Sequence, residues 1–519
     1  MAKKSGEKLE DIKLRFNKQA VDENVRKAMP FTDKWHNNFH IDAPFSLISD
    51  PNGLCVCDGV YHLFCQWNPV PQNRNWHKNK SWMHITTRDF INYSYPELSS
   101  WPGDEYDKDG CHSGCGFVED GKVRVFYTAN ARDENYIRSV VQRYGTLQED
   151  GSVTKEEIIV KGNPEGYTAH FRDPNFFYRR GKRYFAMAAQ RMSDYPAKSS
   201  RPTNGATLIY RETDKKNEFE LLGEVKTDYY DFGYMWECPN LLRFDDMDVL
   251  IVCPQGVPHQ EFKYQNHCLA GYFAGHFSVD SLEMLPSVFQ ELDRGFDFYS
   301  PQVFLDGDRK ILVGWIGMPD LTDTVASAEN DWLYCLTMPR ELTLKHGHIY
   351  SAPVKELEAL RQDCQEVNAN DVKECSAQLP DGSESDLTIK FGDAQKVEIV
   401  LNYDVEKLTI SYDRATQLMT IDRNGMNLGG KGIRPFNDGK NTDVDIGVRK
   451  FKLYADETLQ IRMFVDHSAL EMFLQGGEEA ASMLLYPEKT VQPKLEISAD
   501  KPIENISGKI WQLGKFNYA

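Results

Sequence analysis

Asp50-Pro-Asn-Gly53, followed closely by the strand-like run Gly59-Val-Tyr-His-Leu-Phe-Cys65, is the stretch whose reading decides the fold. Asp ahead of Pro is tight-turn chemistry, because the carboxylate accepts backbone N–H groups and the ring presets φ. The unit recurs. His112-Ser-Gly-Cys115 precedes Lys122-Val-Arg-Val-Phe-Tyr127, and Asp173-Pro-Asn175 precedes Lys182-Arg-Tyr-Phe-Ala-Met187. Glu237-Cys-Pro-Asn240 precedes Val249-Leu-Ile-Val-Cys253, and Asp297-Phe-Tyr-Ser-Pro-Gln302 precedes Lys310-Ile-Leu-Val-Gly-Trp315. The steps from Asp50 through Ser113, Asp173 and Glu237 to Asp297 are 63, 60, 64 and 60 residues. Short strands repeating at such a period indicate radial repetition. Five units predict a five-bladed β-propeller over 35–350. Equivalent positions on the innermost strands of a propeller face one central channel, so residues about 60 apart in sequence converge in space.

Around this core the pattern changes. Residues 1–34 read as a short helical arm, with Leu9, Ile12, Leu14 and Phe16 spaced among Lys, Glu and Asp. Past 350 the register breaks, and Ser351 to Arg361 reads as a connecting helix with Pro353 near its start, giving a linker over 351–365. Alternating runs such as Leu387-Thr-Ile-Lys-Phe391 and Lys396-Val-Glu-Ile-Val-Leu401 then predict a β-sandwich over 366–519. The fold class is all-β.

The chain has 519 residues, enough for two domains, and 41% are hydrophobic against 27% charged. Its 25 Tyr, 28 Phe and 9 Trp suit both pleated surfaces and the faces of sugars. A net charge of −18, with no basic cluster, argues against nucleic acid or anionic membranes as partners. Met1 to Lys18 lacks an apolar core of signal-peptide length, and no run is apolar enough to span a bilayer. The 11 cysteines show no Cys-x-x-Cys or paired Cys/His spacing, so zinc is not expected. Reduced core cysteines and a cytoplasmic location are expected instead.

Asp50, Asp173 and Glu237 bring three carboxylates to matching places in three repeats. Singly, each is ordinary turn chemistry. Together they fit a glycosidic bond split with retention, where one carboxylate attacks the anomeric carbon and a second protonates the leaving oxygen. That route needs the two carboxyls about 5–5.5 Å apart and no cofactor.

These residues resemble glycoside hydrolase family 32, the invertase and fructanase family. Asp50-Pro-Asn-Gly53, Phe171-Arg-Asp-Pro174 and Trp236-Glu-Cys-Pro239 look like its three carboxylate boxes, in order. Tyr61-His-Leu-Phe-Cys-Gln66 with Asn68-Pro69, Trp76, Trp82-Met-His84, Asp293-Arg-Gly-Phe-Asp-Phe-Tyr299 and Leu336-Thr-Met-Pro-Arg-Glu-Leu342 have close counterparts. Phe464-Val-Asp-His-Ser468 through Glu471-Met-Phe473 resembles the family's sandwich signature, so the likeness spans about 36–519. It implies a five-bladed propeller with a β-sandwich, Asp50 as nucleophile, Glu237 as acid/base and Asp173 as transition-state stabiliser. Ser49, Asn52, Gln66, Trp76, Trp82, His112, Ser113, Arg172 and Trp315 would bind the sugar, the tryptophans by stacking unless they merely fill the channel wall. An acid working near neutral pH needs a raised pKa, which Trp236 and the two aspartates are expected to give Glu237.

The chain departs from the family at Leu47-Ile48-Ser49, at His112-Ser-Gly-Cys115 and at Met83, all around the expected fructose pocket. The implied activity is hydrolysis of a terminal β-D-fructofuranoside in sucrose or short fructo-oligosaccharides. Sucrose 6-phosphate is the alternative substrate, with Arg74, His77, Lys78 and Lys80 as cations for the phosphate unless that loop is only solvated. A silent carbohydrate-binding propeller is the alternative of another class. Oligomeric state is left open.

Overall fold

In a computed structural model the chain is described over residues 9–70, 79–192, 203–319, 325–426 and 447–519. Among the described residues it is all-β apart from two helices and a few short 3₁₀ turns. Five largely antiparallel sheets precede a ten-stranded sheet built from the C-terminal third. Five strands carry the repeated motif: β1 (Ser46–Cys57), β2 (Cys111–Glu119), β3 (Tyr167–Arg179), β4 (Met235–Phe244) and β5 (Phe298–Asp306). Each belongs to a different sheet. Each touches the next, and β1 touches β5, a propeller-like arrangement. Backbones meet closely there. A Cβ on Gly116 would lie 2.1 Å from the carbonyl oxygen of Gly53, which itself has φ +57. Only glycine fits at either place.

The helices are α1 (Leu9–Arg15) and α2 (Lys18–Ala28). Val21 and Val25, one turn apart on α2, are buried together with Ile12, Phe16 and Trp35 in the largest core. Asn17 caps α2 by accepting from Ala20 N, Lys18 pairs with Glu97 at 2.9 Å, and Asp22 accepts from Leu98 N at 2.8 Å. The segment is thus laid against the first motif-bearing sheet. Within 351–365, expected to be a helix, the helical part is the 3₁₀ segment Lys355–Leu360, and Arg361 already begins a strand.

The C-terminal sheet is sandwich-like because one long strand, Lys494–Leu513, serves two layers. Its first part pairs with Lys396–Asn402 and its second with Ser383–Lys390. Leu387, Ile399, Ile410, Ile461, Met472 and Ile497 are buried together there. Lys396–Asn402 alternates buried and open positions along its length, as its sequence predicts.

The motifs around Asp293, Arg340 and Glu471 form a buried ionic clamp between the two regions. Arg340 donates to Glu471, to Asp293 at 3.1 Å and to Ser482 at 2.5 Å. His40 lies between Asp466 (2.9 Å) and Glu471 (3.1 Å). Asp297, taken from the sequence as the fifth channel residue, belongs to this clamp instead. It binds Arg423 and accepts from Leu484 N at 2.8 Å. Its place three residues ahead of Ser300 puts it before the break in β5 that the other motifs share.

Candidate active site

Every motif-bearing strand loses register with its partner at the motif. The breaks fall between Ile48 and Pro51, Cys111 and Gly114, Arg172 and Asn175, Glu237 and Asn240, and Tyr299 and Gln302. Two residues are left unpaired at each. Such bulges re-aim side chains and bend the strand. Asp173 (φ +64), Cys238 (φ +48) and Ser300 (φ +47) hold left-handed backbone there, unusual for residues with a Cβ. Pro cannot donate to the ladder, and Pro174, Pro239 and Pro301 sit unpaired in three of the breaks. Asp50 and Ser113 are the second unpaired residue of their breaks, Asp173, Cys238 and Ser300 the first of theirs, and Glu237 is the last paired residue before its own.

Asp50 accepts from Ser113 Oγ at 2.7 Å, and Gln66 Nε2 donates to Ser113 Oγ at 2.5 Å. Asp173 accepts from Cys238 N at 3.1 Å. Glu237 is the most heavily bonded of the three. Its Oε1 takes Arg172 Nε at 2.9 Å and Nη2 at 2.5 Å, and its Oε2 takes Gln255 Nε2 and Tyr299 OH, each at 2.5 Å. Arg172 Nε also lies 4.0 Å from Asp173.

Burial pushes Asp173 up to about 7; Arg172 pulls it down, while the charges of Glu237 and Asp50 push it up. Asp173 is therefore within electrostatic reach of both Glu237 and Asp50. Glu237 moves the other way. Burial raises it, but the Arg172 charge, hydrogen bonds from Tyr299 and Arg172, and the charge of Lys80 outweigh burial and hold it below the usual glutamate value. The elevated Glu237 expected from Trp236 and the two aspartates is not found. The Trp236 indole is buried in a neighbouring core and donates to Phe232 O.

The expected sugar contacts divide. Ser49, Gln66, His112 and Ser113 are buried at the breaks in β1 and β2 or beside them. Asn52 is fully buried, and its amide is engaged by backbone, with Nδ2 to Asp50 O at 3.0 Å and Oδ1 from Gly114 N at 3.2 Å. Asn240 repeats this role on β4, donating to Cys238 O and accepting from Val303 N. Trp82 is likewise fully buried, donating to His112 O and set edge-on to Tyr127. Trp315 is buried edge-on to Tyr334. Trp76, Arg74, His77 and Lys78 lie outside the described residues. Sequence reasoning missed Gln255 and Tyr299 as partners of Glu237. Tyr299 closes a quoted motif, but Gln255 carries no motif at all.

All 11 cysteines are free. Among the described residues no group of His, Cys, Asp or Glu is arranged to hold a metal ion, and no helix is long and apolar enough to cross a membrane. A cavity of about 600 Å³ lies between the third and fourth motif-bearing sheets, lined by Arg191, Glu224, Tyr230 and Trp236. None of the three carboxylates lines it.

Residues 40–353 match the glycosyl hydrolases family 32 N-terminal domain, and residues 356–512 match the family 32 C-terminal region. The chain belongs to glycosyl hydrolase family 32. Among its family relatives is a sucrose-6-phosphate hydrolase of Bacillus subtilis, 33% identical over 90% of this chain and 92% of that one. A raffinose invertase of Escherichia coli is 29% identical over 92% and 95%. The solved family 32 structure of sucrose-6-phosphate hydrolase from Lactobacillus gasseri superposes with TM-score 0.81 at 29% identity, covering 96% of this chain and 97% of that one. A Bombyx mori family 32 β-fructofuranosidase, solved with sucrose, shares the fold at TM-score 0.79 and 23% identity, covering 97% and 99%.

Proposed function

We propose that this family 32 enzyme is a retaining β-fructofuranosidase acting on the terminal β-D-fructofuranoside of sucrose or short fructo-oligosaccharides. What supports the reading is that Asp50, Asp173 and Glu237 stand at or beside the register breaks of motif-bearing strands that touch in succession, with Arg172 reaching both Asp173 and Glu237. Asp50, oriented by Ser113, attacks the anomeric carbon of fructose. Glu237 gives its proton to the departing oxygen and then takes one from the water that releases fructose. Asp173 accepts fructose hydroxyl hydrogen bonds that tighten in the transition state. Arg172 and Tyr299 favour ionised Glu237. Sugar hydroxyls that compete for Arg172 and Tyr299 shift a proton toward Glu237, so substrate arms its own acid.

The five motif-bearing sheets are read as five blades of one propeller over 35–350, joined through a linker at 351–365 to a sandwich over 366–519, with residues 1–34 as the N-terminal arm. The free thiols favour a cytoplasmic location. Phosphorylated sucrose is a second reading, favoured by the names of two relatives. Incubating the purified protein with sucrose and measuring glucose tests the activity. Release that Asp50→Asn abolishes is expected, and no release, or release unchanged in the variant, would overturn it.

A further inference from the structure

Two arginines stand directly opposite each other at the mouth of the hairpin formed by Lys122–Arg132 and Arg138–Thr146. Like charges facing across an antiparallel pair destabilise it. Neither side chain has a carboxylate at ion-pair distance among the described residues. Asp109 lies near but accepts from the Arg132 backbone N–H, at 2.7 Å. Asp133, in the turn, is occupied with Asn135 N and Ile137 N.

The pair is tied to the catalytic centre. His170 Nδ1 accepts from Arg138 Nη1 at 3.4 Å and from Arg172 Nη1 at 3.1 Å, and Arg172 in turn holds Glu237. An imidazole accepting at Nδ1 from two guanidiniums is neutral and adds no countercharge. Arg138 is thus one residue removed from the Arg172–Glu237 pair, on the acid/base side, where the leaving group departs. Loss of water and the charges of Arg172 and Arg132 bring Arg138 down to about 10, the behaviour of a cation short of an anion. A neutral disaccharide gives such a pair nothing to neutralise. A phosphate fits it, because guanidinium forks match phosphate oxygens.

We propose that Arg138, supported by Arg132 and positioned by His170, binds a phosphate on the leaving sugar and makes this enzyme selective for phosphorylated sucrose. The assignment rests on the fructosidase reading and moves the phosphate contact from the loop at 72–80 to the hairpin. It is tested by measuring kcat/KM of the full-length protein and of Arg138→Ala on sucrose 6-phosphate and on sucrose. The ratio of the two should fall about ten- to hundredfold in the variant, the effect of one charge-assisted contact. A damaged fold would lower both rates and leave the ratio unmoved, which would overturn the assignment. Calorimetry with glucose 6-phosphate and glucose needs no turnover. The wild type should bind the phosphate ester at least about tenfold more tightly, and Arg138→Ala should erase the difference. Equal binding by the wild type, or a preference that survives in Arg138→Ala, would overturn it. A chain that shows the binding preference but splits neither sugar would sink the fructosidase reading and spare the phosphate site.

Discussion

Replacing Arg172 with alanine removes two charge-assisted donors from one oxygen of Glu237, at 2.9 and 2.5 Å. The side chains are only 12% and 15% exposed, so solvent screens the pair weakly. One charge-assisted hydrogen bond contributes about 1.5–3 kcal/mol, and 1.4 kcal/mol is about tenfold in rate. If the guanidinium turns to fructose hydroxyls in the transition state, peak kcat/KM falls about ten- to hundredfold. The pH profile carries the sharper test. Arg172 favours ionised Glu237, and kcat/KM follows the titration of the acid in the free enzyme, so its basic limb marks Glu237. Without the cation the carboxyl titrates higher, and that limb moves to higher pH. Arg172→Lys keeps a charge without the fork, so it should lower the peak while moving the limb less. Initial rates on sucrose across the acid and alkaline range read both effects. A basic limb in Arg172→Ala that stays put or moves to lower pH would refute the assignment of Glu237 as the acid.

Glu237→Gln cannot give up a proton, so it should lose most of its rate and the basic limb with it, as pH-rate profiles would show; a variant keeping both would place the acid elsewhere. Trp82→Ala should destabilise the protein by about 3–5 kcal/mol in denaturant unfolding, because the ring is fully buried; a stability within error of wild type would return Trp82 to the sugar. Arg340→Ala strands Glu471 and Asp293 as buried charges and should cost about 3–5 kcal/mol, more than Arg340→Met in the double variant Arg340→Met/Glu471→Leu. Burial lowers His40, but hydrogen bonds and charges of Asp466 and Glu471 raise it from 6.5 to about 9. Its folded value lies above its unfolded one, so the stability it contributes is complete below about pH 6.5 and lost as pH rises through about 9. Denaturant midpoints over that window should fall in the wild type and much less in His40→Gln.

The repeat was legible because each break in a motif-bearing strand needs a residue that tolerates it, and Pro, Gly, Asn and Asp leave that mark in the sequence. Asp50, Asp173 and Glu237 could therefore be found from spacing. The frame slipped where the mark was weakest. Asp297 keeps the interval but precedes the break in β5, and strand geometry delivers it to Arg423 instead. Pairwise partners were illegible for a different reason. Tyr299 reaches Glu237 from a different sheet and Gln255 from the end of the strand paired with that of Glu237, relations that no local pattern records. The sign of the Glu237 shift was lost with them, since burial alone predicts a rise and only the Arg172 fork reverses it. Sequence left Trp82 open between sugar platform and channel wall, because aromatic residues serve cores and ligands alike. The clamp residues Asp293, Arg340 and Glu471 were visible as motifs, and their shared burial between the two regions needed coordinates.

The central claim is that Asp50 and Glu237 split a β-fructofuranoside by double displacement. The most direct test follows the anomer of fructose first released from sucrose by the wild-type protein, using proton NMR before mutarotation. β-D-fructofuranose as the initial product is the predicted result, and α-D-fructofuranose would contradict the account.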